Sequence, residues 1–470
     1  MVRKIFTWRI DVFTVDIASF VRILTGWQDA DGRISSALEI SIAKAIDSNF
    51  LPTGAQLPPQ REIAKALVVG RGTVSMAMKN LEARGYLHLV QGAGARVRST
   101  RARGSYSGSG RLFSLTNAPR GVIDFSTGAL PASEVTTDVL ANTRPNLSPY
   151  FETDGYFPAG IPLLRHRLAA YLSDNGIPTK PEQLLITNGA QHATNMAIEM
   201  WMSQGDTIFC EDPTYRGTVE ALSLKGIRTH AIPRAALGTS SLEKYLGGTH
   251  DEVLYCQASV HNPTGAILSE ERVTKLAEYA LHYKVKIIED CSSFDLTLGI
   301  SVGRTLAGRI PDNNHLLIGT LSKLFWGGLR IGWIRSSENN IHMLREVRKV
   351  SDLAPPVFEQ LIAVKLLDKA KEARSERRKM LTKGFELTTR FVSELLPEWD
   401  ILPVDGGTSI WINTHRDATT LASFAASAGV LLAPGSMFSP SNGFASFLKF
   451  PIWRNEEILS RGLHKIANSV

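Results

Sequence analysis

Hydrophobic residues recur at helical spacing in the first hundred positions of the chain. Ile34, Leu38 and Ile42 stand four residues apart, which predicts an amphipathic helix. Two shorter helical patterns follow, and then two short alternating runs joined by a glycine-rich turn. The predicted elements are helices over 34–50, 61–67 and 71–84 and strands over 86–90 and 96–98. Their order predicts an α+β winged helix-turn-helix domain over 1–100, with its core at 34–98.

A change of composition ends this pattern. Arg, Ser and Gly predominate from Ser99 onward, and we predict a flexible basic linker over 101–121. Beyond it, short apolar runs alternate with helical patterns, as in an α/β layer fold with a mostly parallel sheet. A second, α/β domain is therefore predicted over 122–470. Its predicted strands are 184–187, 207–210, 253–256, 286–289 and 316–319, and its predicted helices are 165–175, 190–203 and 270–283.

Positive charge is concentrated in the first domain. Residues 1–103 contain 15 Lys and Arg against 8 Asp and Glu, whereas the whole chain contains 52 against 45. Both counts leave the same surplus of seven, so the rest of the chain is neutral. A basic first quarter predicts a polyanionic partner, such as DNA, for this part alone.

Other classes of protein fit the composition poorly. No stretch reaches the roughly 18 uncharged apolar residues that span a bilayer, so no membrane association is expected. The three cysteines are far apart and lack the spacing of metal ligands, which predicts no metal site. They fit a reducing compartment, and we expect the protein in the cytoplasm.

The predicted helix over 71–84 has an apolar face and a polar face. Val74, Met78 and Leu81 are expected to pack on the preceding helix, so the polar residues point outward. A helix that enters the major groove needs long donors near its N-terminus, with basic residues nearby for phosphates. The predicted DNA-binding residues are Arg61, Arg71, Thr73, Ser75, Lys79 and Arg96, with Arg98 beside them on the wing. From this pattern alone, a helical hairpin that mediates dimer contact stays open.

The run from Leu51 to Val97 is more specific. It contains a Pro-x-Gly turn, Leu-Pro-x-x-Arg-Glu, Arg-x-Thr-Val and a Gly-x-Gly wing. These motifs resemble the winged helix-turn-helix domain of the GntR superfamily, which implies double-stranded DNA as the partner. Gly70 departs from that pattern, because the family usually has a serine or similar helix cap before the arginine.

Chemically reactive residues follow several predicted strands of the second domain. Lys323 suits condensation with an aldehyde, because burial favours its neutral, nucleophilic form. Asp290 can keep a pyridine nitrogen protonated, Asn262 can donate to a ring oxygen, and Tyr215 can stack on a ring. Hydroxyls, a guanidinium and a helix N-terminus suit the oxygens of a phosphate monoester. The predicted phosphate ligands are Gly189, Ala190, Gln191, Thr320, Ser322 and Arg330. Singly these residues are ordinary, but open α/β sheets bind ligands at strand ends.

Residues from about 122 to 470 resemble fold-type I aminotransferases. The motifs, in order, are YFPAGIPLLRHRLAAYL, TNGAQHAT, EDPTY, HNPTG, IIEDCS, GTLSKLFWGGLRIGW and APGSMF. The resemblance implies pyridoxal 5'-phosphate (PLP) as cofactor, with Lys323 as its Schiff-base lysine, Asp290 as the pyridinium partner and Asn262 as the ring-oxygen donor. A GntR-type domain fused to such a domain is the architecture of the MocR regulators, which implies a homodimer.

Two places depart from the aminotransferase pattern. Ser292 and Ser293 stand where the family carries a tyrosine that contacts the ring oxygen. Lys449 stands where the family has the arginine that holds the substrate carboxylate, and a lysine supplies charge without a planar fork. We predict that Lys449 holds the effector carboxylate, that the cofactor binds, and that transamination of α-amino acids is weakened.

The sequence thus predicts a PLP-dependent, DNA-binding transcriptional regulator that senses an amino compound or the cofactor itself. Two alternatives stay open. One is an active aminotransferase with an N-terminal dimerisation domain, and the other is a regulator whose cofactor domain is only a dimerisation scaffold. The effector, the operator and the direction of regulation do not follow from the residues.

Overall fold

The computed structural model describes residues 14–24, 27, 34–47, 51, 55–83, 86–90, 94–97, 122–246, 252–299 and 301–468. They form two compact units, one within residues 1–113 and one within residues 114–470. The linker predicted at 101–121, the Pro-x-Gly turn and Arg98 lie outside the described residues. In the described ranges, no helix is long and apolar enough to cross a membrane.

The first unit consists of helices followed by a hairpin. Its elements are α1 (Ile17–Ile23), α2 (Ile34–Asp47), α3 (Gln60–Ala66), α4 (Arg71–Ala83), β1 (Leu87–Val90) and β2 (Gly94–Val97). Val74, Met78 and Leu81 of α4 are buried in one cluster with Ile63 and Leu67, which confirms the predicted packing of the two helices. The two strands pair antiparallel, which confirms the predicted wing.

The helix α1 has no counterpart among the predicted elements. Asp16 caps it by accepting a hydrogen bond of 2.9 Å from the Ser19 N–H. Phe20 and Leu24 are buried in the same cluster as the helix-turn-helix residues. The Val15 N–H donates to the Gln56 carbonyl at 2.9 Å, so this segment also joins the backbone next to the wing. Two turns of helix are too short for a clear periodic pattern, and packing on a core formed elsewhere stabilises them.

The second unit alternates strands and helices, as predicted. Its helices are α5 (Glu134–Asn142), α6 (Ser148–Phe151), α7 (Pro162–Asp174), α8 (Ala190–Trp201), α9 (Arg216–Leu224), α10 (Glu270–Tyr283), α11 (Glu338–Lys349), α12 (Val357–Leu367), α13 (Ala370–Leu395), α14 (Ala418–Ser427) and α15 (Glu456–Ala467). Its strands are β3 (Ile123–Asp124), β4 (Leu184–Thr187), β5 (Thr207–Asp212), β6 (Arg228–Pro233), β7 (Val253–Cys256), β8 (Lys286–Asp290), β9 (His315–Thr320), β10 (Gly332–Arg335), β11 (Asp400–Ile401), β12 (Ser409–Asn413), β13 (Val430–Leu431), β14 (Ala433–Pro434) and β15 (Phe447–Pro451).

Seven strands form the central sheet in the order β4-β10-β9-β8-β7-β5-β6. Only β10 runs antiparallel to its neighbours, whereas β9, β8, β7, β5 and β6 are parallel. Because β10 is antiparallel to both β4 and β9, those two strands point the same way. The five predicted strands are all present, and the sheet confirms the mostly parallel α/β fold. Their apolar side chains are buried on both faces, as expected of a sheet covered by helices.

A smaller sheet in the order β11-β12-β15-β14 forms near the C-terminal end of the chain. Its register places Lys449 of β15 opposite Trp411 of β12 and opposite Ala433 of β14. Helices α14 and α15 share a core cluster with the inner face of this sheet. The short strand β3 pairs in parallel with β13, which ties the segment before Gly128 to this part of the unit.

Candidate functional site

The predicted cofactor residues follow strands whose carboxyl ends lie at one edge of the central sheet. Asp290 is the last residue of β8. Its register partner Ile318 lies near the end of β9, five residues before Lys323. Asn262 follows β7, and Asn188 and Gly189 follow β4, which points the same way. Ligands of open α/β sheets bind at this edge. The topology thus brings together residues that are up to 135 positions apart in the chain, from Asn188 to Lys323.

The N-terminus of α8 forms an open backbone cradle. Gly189 caps the helix with a φ of 86°, a left-handed conformation that favours glycine. A Cβ at Gly189 would lie 2.8 Å from Arg330 Nη2, and a Cβ at Gly332 would lie 2.6 Å from the Gly189 carbonyl carbon. Arg330 donates to the Asn188 carbonyl at 2.7 Å. These contacts place a guanidinium beside the first backbone N–H groups of a helix, at its positive end, which suits a phosphate.

The hydroxyls after β9 lie close to one another. Thr320 Oγ1 donates to the Ile331 carbonyl at 2.9 Å and lies 3.0 Å from Ser322 Oγ. The Ser322 N–H donates to Thr320 Oγ1 at 3.1 Å. Gln191, the remaining predicted phosphate ligand, donates to the Gly217 carbonyl at 3.0 Å, a contact that joins α8 to α9.

Asp290 is a buried carboxylate with two hydrogen-bond donors. Tyr255 donates its hydroxyl to Oδ2 at 2.8 Å, and the Ser292 N–H donates to Oδ1 at 2.8 Å. Burial raises the pKa of Asp290, while the hydrogen bonds from Ser292 and Tyr255 act in the opposite direction. A protonated ring nitrogen beside this carboxylate would stabilise its ionised form.

Asn262 is held by its backbone, and its side chain keeps hydrogen-bonding capacity. The Asn262 N–H donates to Gln257 Oε1 at 3.0 Å, and Gln257 Nε2 donates back to the Asn262 carbonyl at 3.2 Å. Asn262 Oδ1 is buried and has no hydrogen-bond partner among the described residues. Unpaired buried polar atoms are costly, so a bound group that hydrogen-bonds here would be stabilised.

A buried network joins Asn262 to the segment that carries Tyr215. His261 Nε2 lies 3.1 Å from the Pro213 carbonyl, two residues before Tyr215. The same ring nitrogen lies 3.4 Å from Glu211 Oε1, and Glu211 pairs with Arg234 through its other oxygen. Burial and the Arg234 charge lower the pKa of His261, which favours its neutral form. The network fixes the backbone at Asn262 and Tyr215 relative to each other.

Lys323 is half-buried and donates to the Gly128 carbonyl at 3.0 Å. Gly128 also faces Lys449, because a Cβ on this glycine would lie 3.3 Å from Lys449 Nζ and 2.5 Å from Thr408 Oγ1. Two lysine side chains from distant parts of the chain therefore converge on one glycine. A side chain at position 128 would occupy the space that they share.

Lys449 is buried, with an exposed fraction of 7%. Its ammonium lies 5.2 Å from the centre of the Phe438 ring, and no acidic residue of the described ranges pairs with it. Burial, together with the Lys323 charge, lowers the pKa of Lys449 to about 7. The cation predicted to hold a carboxylate is thus close to the reactive lysine and can lose its proton near neutral pH.

Sequence reasoning did not identify Tyr255, Gln257 or His261. Tyr255 hydrogen-bonds to Asp290 from the neighbouring strand, and Gln257 hydrogen-bonds to Asn262 across a turn. His261 contacts the Pro213 carbonyl, close to Tyr215 in the chain. A tyrosine within an apolar strand carries no signal of its own, because its partner depends on the order of strands in the sheet. Of the three, only His261 is adjacent in the chain to a residue that the sequence predicts for the site, Asn262.

The residues present fit PLP. The cradle of Gly189 and Arg330 suits a phosphate, and Asp290 suits a pyridinium. The side-chain Nδ2 of Asn262 is the donor that a ring oxygen would accept from. The serines at 292 and 293 leave the ring oxygen without a tyrosine from this segment, as the sequence indicates.

The first unit presents a basic surface. Arg61, Arg71, Lys79 and Arg96 are all exposed, and Thr73 and Ser75 are half-buried on α4. These six positions are the predicted DNA-binding residues, and none of them is buried in the core. The unit therefore offers Arg71, Thr73, Ser75 and Lys79 along α4, with Arg61 on α3 and Arg96 on β2 as further exposed cations. Long donors and short polar side chains on one helix suit the major groove.

Both units match known protein families. Residues 120–450 match the model of the aminotransferase class I and II family, and residues 35–97 match that of the bacterial regulatory proteins of the gntR family. The chain is 26% identical over 460 residues to YdfD, an uncharacterized HTH-type transcriptional regulator of Bacillus subtilis, covering 91% of this chain and 94% of that protein. It is 24% identical to the 2-aminoadipate transaminase of Thermus thermophilus, covering 76% of this chain and 92% of that protein.

A solved structure shares the fold of the second unit. The α-aminoadipate aminotransferase LysN of Thermus thermophilus, in complex with N-(5'-phosphopyridoxyl)-L-leucine, superposes with a TM-score of 0.67 at 21% identity. The match covers 77% of this chain and 95% of that one. The chain therefore belongs to the aminotransferase class I and II family and carries, in front of that domain, a gntR-family helix-turn-helix domain, the combination of the MocR-type transcriptional regulators.

Proposed function

We propose that this protein is a transcriptional regulator that binds promoter DNA through α4 and the wing, and whose PLP-binding domain senses an amino compound or the cofactor itself. The observation that carries the proposal is Lys449. A buried lysine with a pKa of about 7 is a weaker holder of carboxylates than an arginine, while the cradle for the cofactor is intact. This combination suits reversible binding better than fast turnover.

PLP, when bound, supplies an aldehyde and an electron-withdrawing ring. Lys323 would attach it covalently, and Asp290 would hold the proton of its ring nitrogen. Tyr255 and the Ser292 N–H keep the Asp290 carboxylate oriented. The N–H groups at Gly189 and Ala190, with Arg330, Thr320 and Ser322, would bind the phosphate.

An active aminotransferase is the second candidate. It is favoured by the completeness of the cofactor residues and by the 2-aminoadipate transaminase among the relatives. Against it, the substrate side has Lys449 in place of the arginine, and the basic surface of the first unit would have no role.

Partners and location follow from the same proposal. The aminotransferase-like fold favours a homodimer, and a homodimer would present two copies of α4 to paired half-sites of the DNA. A regulator of this kind would act in the cytoplasm, where promoter DNA lies.

A visible-absorbance titration of the PLP-loaded protein against a panel of amino compounds tests the proposal. A compound that changes the spectrum should also change the affinity for a promoter fragment measured under the same conditions. Sustained turnover with a keto acid, combined with equal affinity for promoter and random DNA, would instead establish the aminotransferase. If neither an amino compound nor the loss of the cofactor changes the affinity for promoter DNA, the PLP-binding domain serves only as a scaffold.

A further inference from the structure

Met76 is a large apolar side chain on the outer face of α4. Its exposed fraction is 55%, whereas Val74, Met78 and Leu81 of the same helix are completely buried. The core of the first unit therefore does not need Met76. Exposed apolar residues are common on surfaces, so the position of Met76 on the helix decides its meaning.

Met76 lies in the middle of the face predicted to contact DNA. Residues four apart lie one turn above each other, which aligns Gly72 with Met76, and Lys79 lies three residues further on. Arg71 and Ser75 border this line on one side. Asn80, on the other side, donates to Glu39 of α2 at 2.9 Å and is thus part of the domain's own packing.

Gly72 makes the same face open. A Cβ at this position would meet no atom within 4 Å, so nothing inside the domain requires a glycine there. Its φ is not in the left-handed region either. No contact inside the domain explains the glycine. Its lack of a side chain allows a partner to approach the backbone of α4 next to Met76.

We propose that Met76 contacts the C5 methyl group of a thymine in the major groove and so determines part of the operator sequence. The inference rests on the proposed function of α4 as the DNA-binding helix. Arg71 and Lys79 are exposed on the same helix, and Arg61 and Arg96 are further exposed cations of this unit, which favours a polyanion over an apolar protein surface. Within the major groove the thymine methyl is the apolar group that base pairs present, and apolar side chains contact it.

Replacement of thymine by deoxyuridine tests the proposal, because it removes this methyl group and nothing else. Duplexes that the full-length, PLP-loaded protein binds are first selected from a random pool. Each thymine of the selected site is then replaced in turn. We expect one position per half-site at which the wild type loses affinity about fourfold, the value of one buried methyl-sized group.

Three variants complete the experiment. Met76→Ala should bind the thymine and uracil duplexes equally, and Met76→Leu should keep the preference for thymine. Lys79→Ala should weaken binding of both duplexes alike and also keep the preference. Met343→Ala removes an exposed methionine of α11, with an exposed fraction of 40%, and should change neither affinity.

The DNA-binding function and the role of Met76 are overturned by different results. A protein that enriches no duplex from the pool overturns the DNA-binding function itself. A protein that binds a selected site, but loses no affinity at any uracil position or keeps its thymine preference in Met76→Ala, overturns the role of Met76 alone. Gly72→Ala gives an independent measure. It should leave the free energy of unfolding unchanged or increase it, and it should weaken operator binding at least tenfold. Unchanged operator binding contradicts a close approach of DNA at this turn of α4.

Discussion

At the scale of single residues, Lys449 is a cation in surroundings that disfavour its charge. Burial disfavours its charge, and no acidic partner among the described residues compensates for that cost. A bound carboxylate would supply the missing partner. If the proposed effector carries a carboxylate, its binding at Lys449 would be coupled to proton uptake.

Effector affinity should consequently depend on pH. With a pKa of about 7, Lys449 is charged below pH 7 and neutral above it. Binding of an α-amino acid should weaken as pH rises through 7, by up to about tenfold per unit well above it. Spectral titrations of wild type and Lys449→Arg from pH 6 to 9 measure this dependence. The arginine stays charged throughout, so the ratio of the two affinities removes the contribution from the titration of the ligand and the cofactor.

The opposite result identifies another class of effector. If amines without a carboxylate change the wild-type spectrum and Lys449→Arg has no effect, the effector has no carboxylate to hold. If α-amino acids bind and neither Lys449→Arg nor Lys449→Ala alters their affinity, Lys449 is not the carboxylate site. Arg454, which donates to the Asp124 carbonyl at 2.5 Å, is then the next candidate.

Val68 is strained, because it has a φ of 54° in the turn between α3 and α4. A β-branched residue in this region costs about 1–2 kcal/mol, and asparagine tolerates it better. We expect Val68→Asn to raise the free energy of unfolding of the first unit by about 1 kcal/mol. Hydrogen exchange of α4 amides measures it. Val350→Asn is the matched control, because this exposed valine has a φ of −99°, and it should bring no gain.

At the scale of elements, α4 combines a buried apolar stripe with an exposed polar face. The stripe fixes the orientation of the helix on α2 and α3, and this orientation presents Arg71 and Lys79 outward. The orientation of the helix and the proposed DNA contact thus depend on the same thirteen residues.

Substitutions on this face should separate base contacts from phosphate contacts. Arg71→Ala should reduce the discrimination between operator and random duplex by about 1–3 kcal/mol if Arg71 contacts a base edge. Lys79→Ala should weaken both duplexes alike and flatten the dependence of affinity on salt. Titrations at several salt concentrations distinguish the two, and unchanged affinity in both variants would move the DNA-binding face elsewhere.

At the scale of the whole molecule, cofactor chemistry should control DNA binding through Lys323. We expect Lys323→Ala to fold normally, to lose the covalently attached cofactor and its visible absorbance band, and to bind operator with an affinity that amino compounds no longer change. Absorbance, intact mass after borohydride reduction and DNA titration measure these three properties. Lys349→Ala, an exposed lysine of α11, is the control and should behave as wild type. A Lys323→Ala protein that keeps the same spectrum would show that the lysine is misassigned.

The sequence by itself determined the elements with long periodic patterns and the residues at strand ends. Val74, Met78 and Leu81 are spaced for one helix face, so their burial follows from local geometry. Asp290 and Lys323 follow apolar runs that form buried strands, and parallel strands bring their carboxyl ends to one edge. Each of these features depends only on the neighbours of a residue in the chain.

Tertiary structure decided everything that depends on a partner from a distant segment. Tyr255 reaches Asp290 because β7 lies next to β8, and Lys449 faces Gly128 because β15 and the segment after β3 meet. The helix α1 is stable because its Phe20 and Leu24 enter a core formed by residues 34–97. The pKa of a buried group depends on all the atoms around it, and these come from segments whose approach no local pattern encodes.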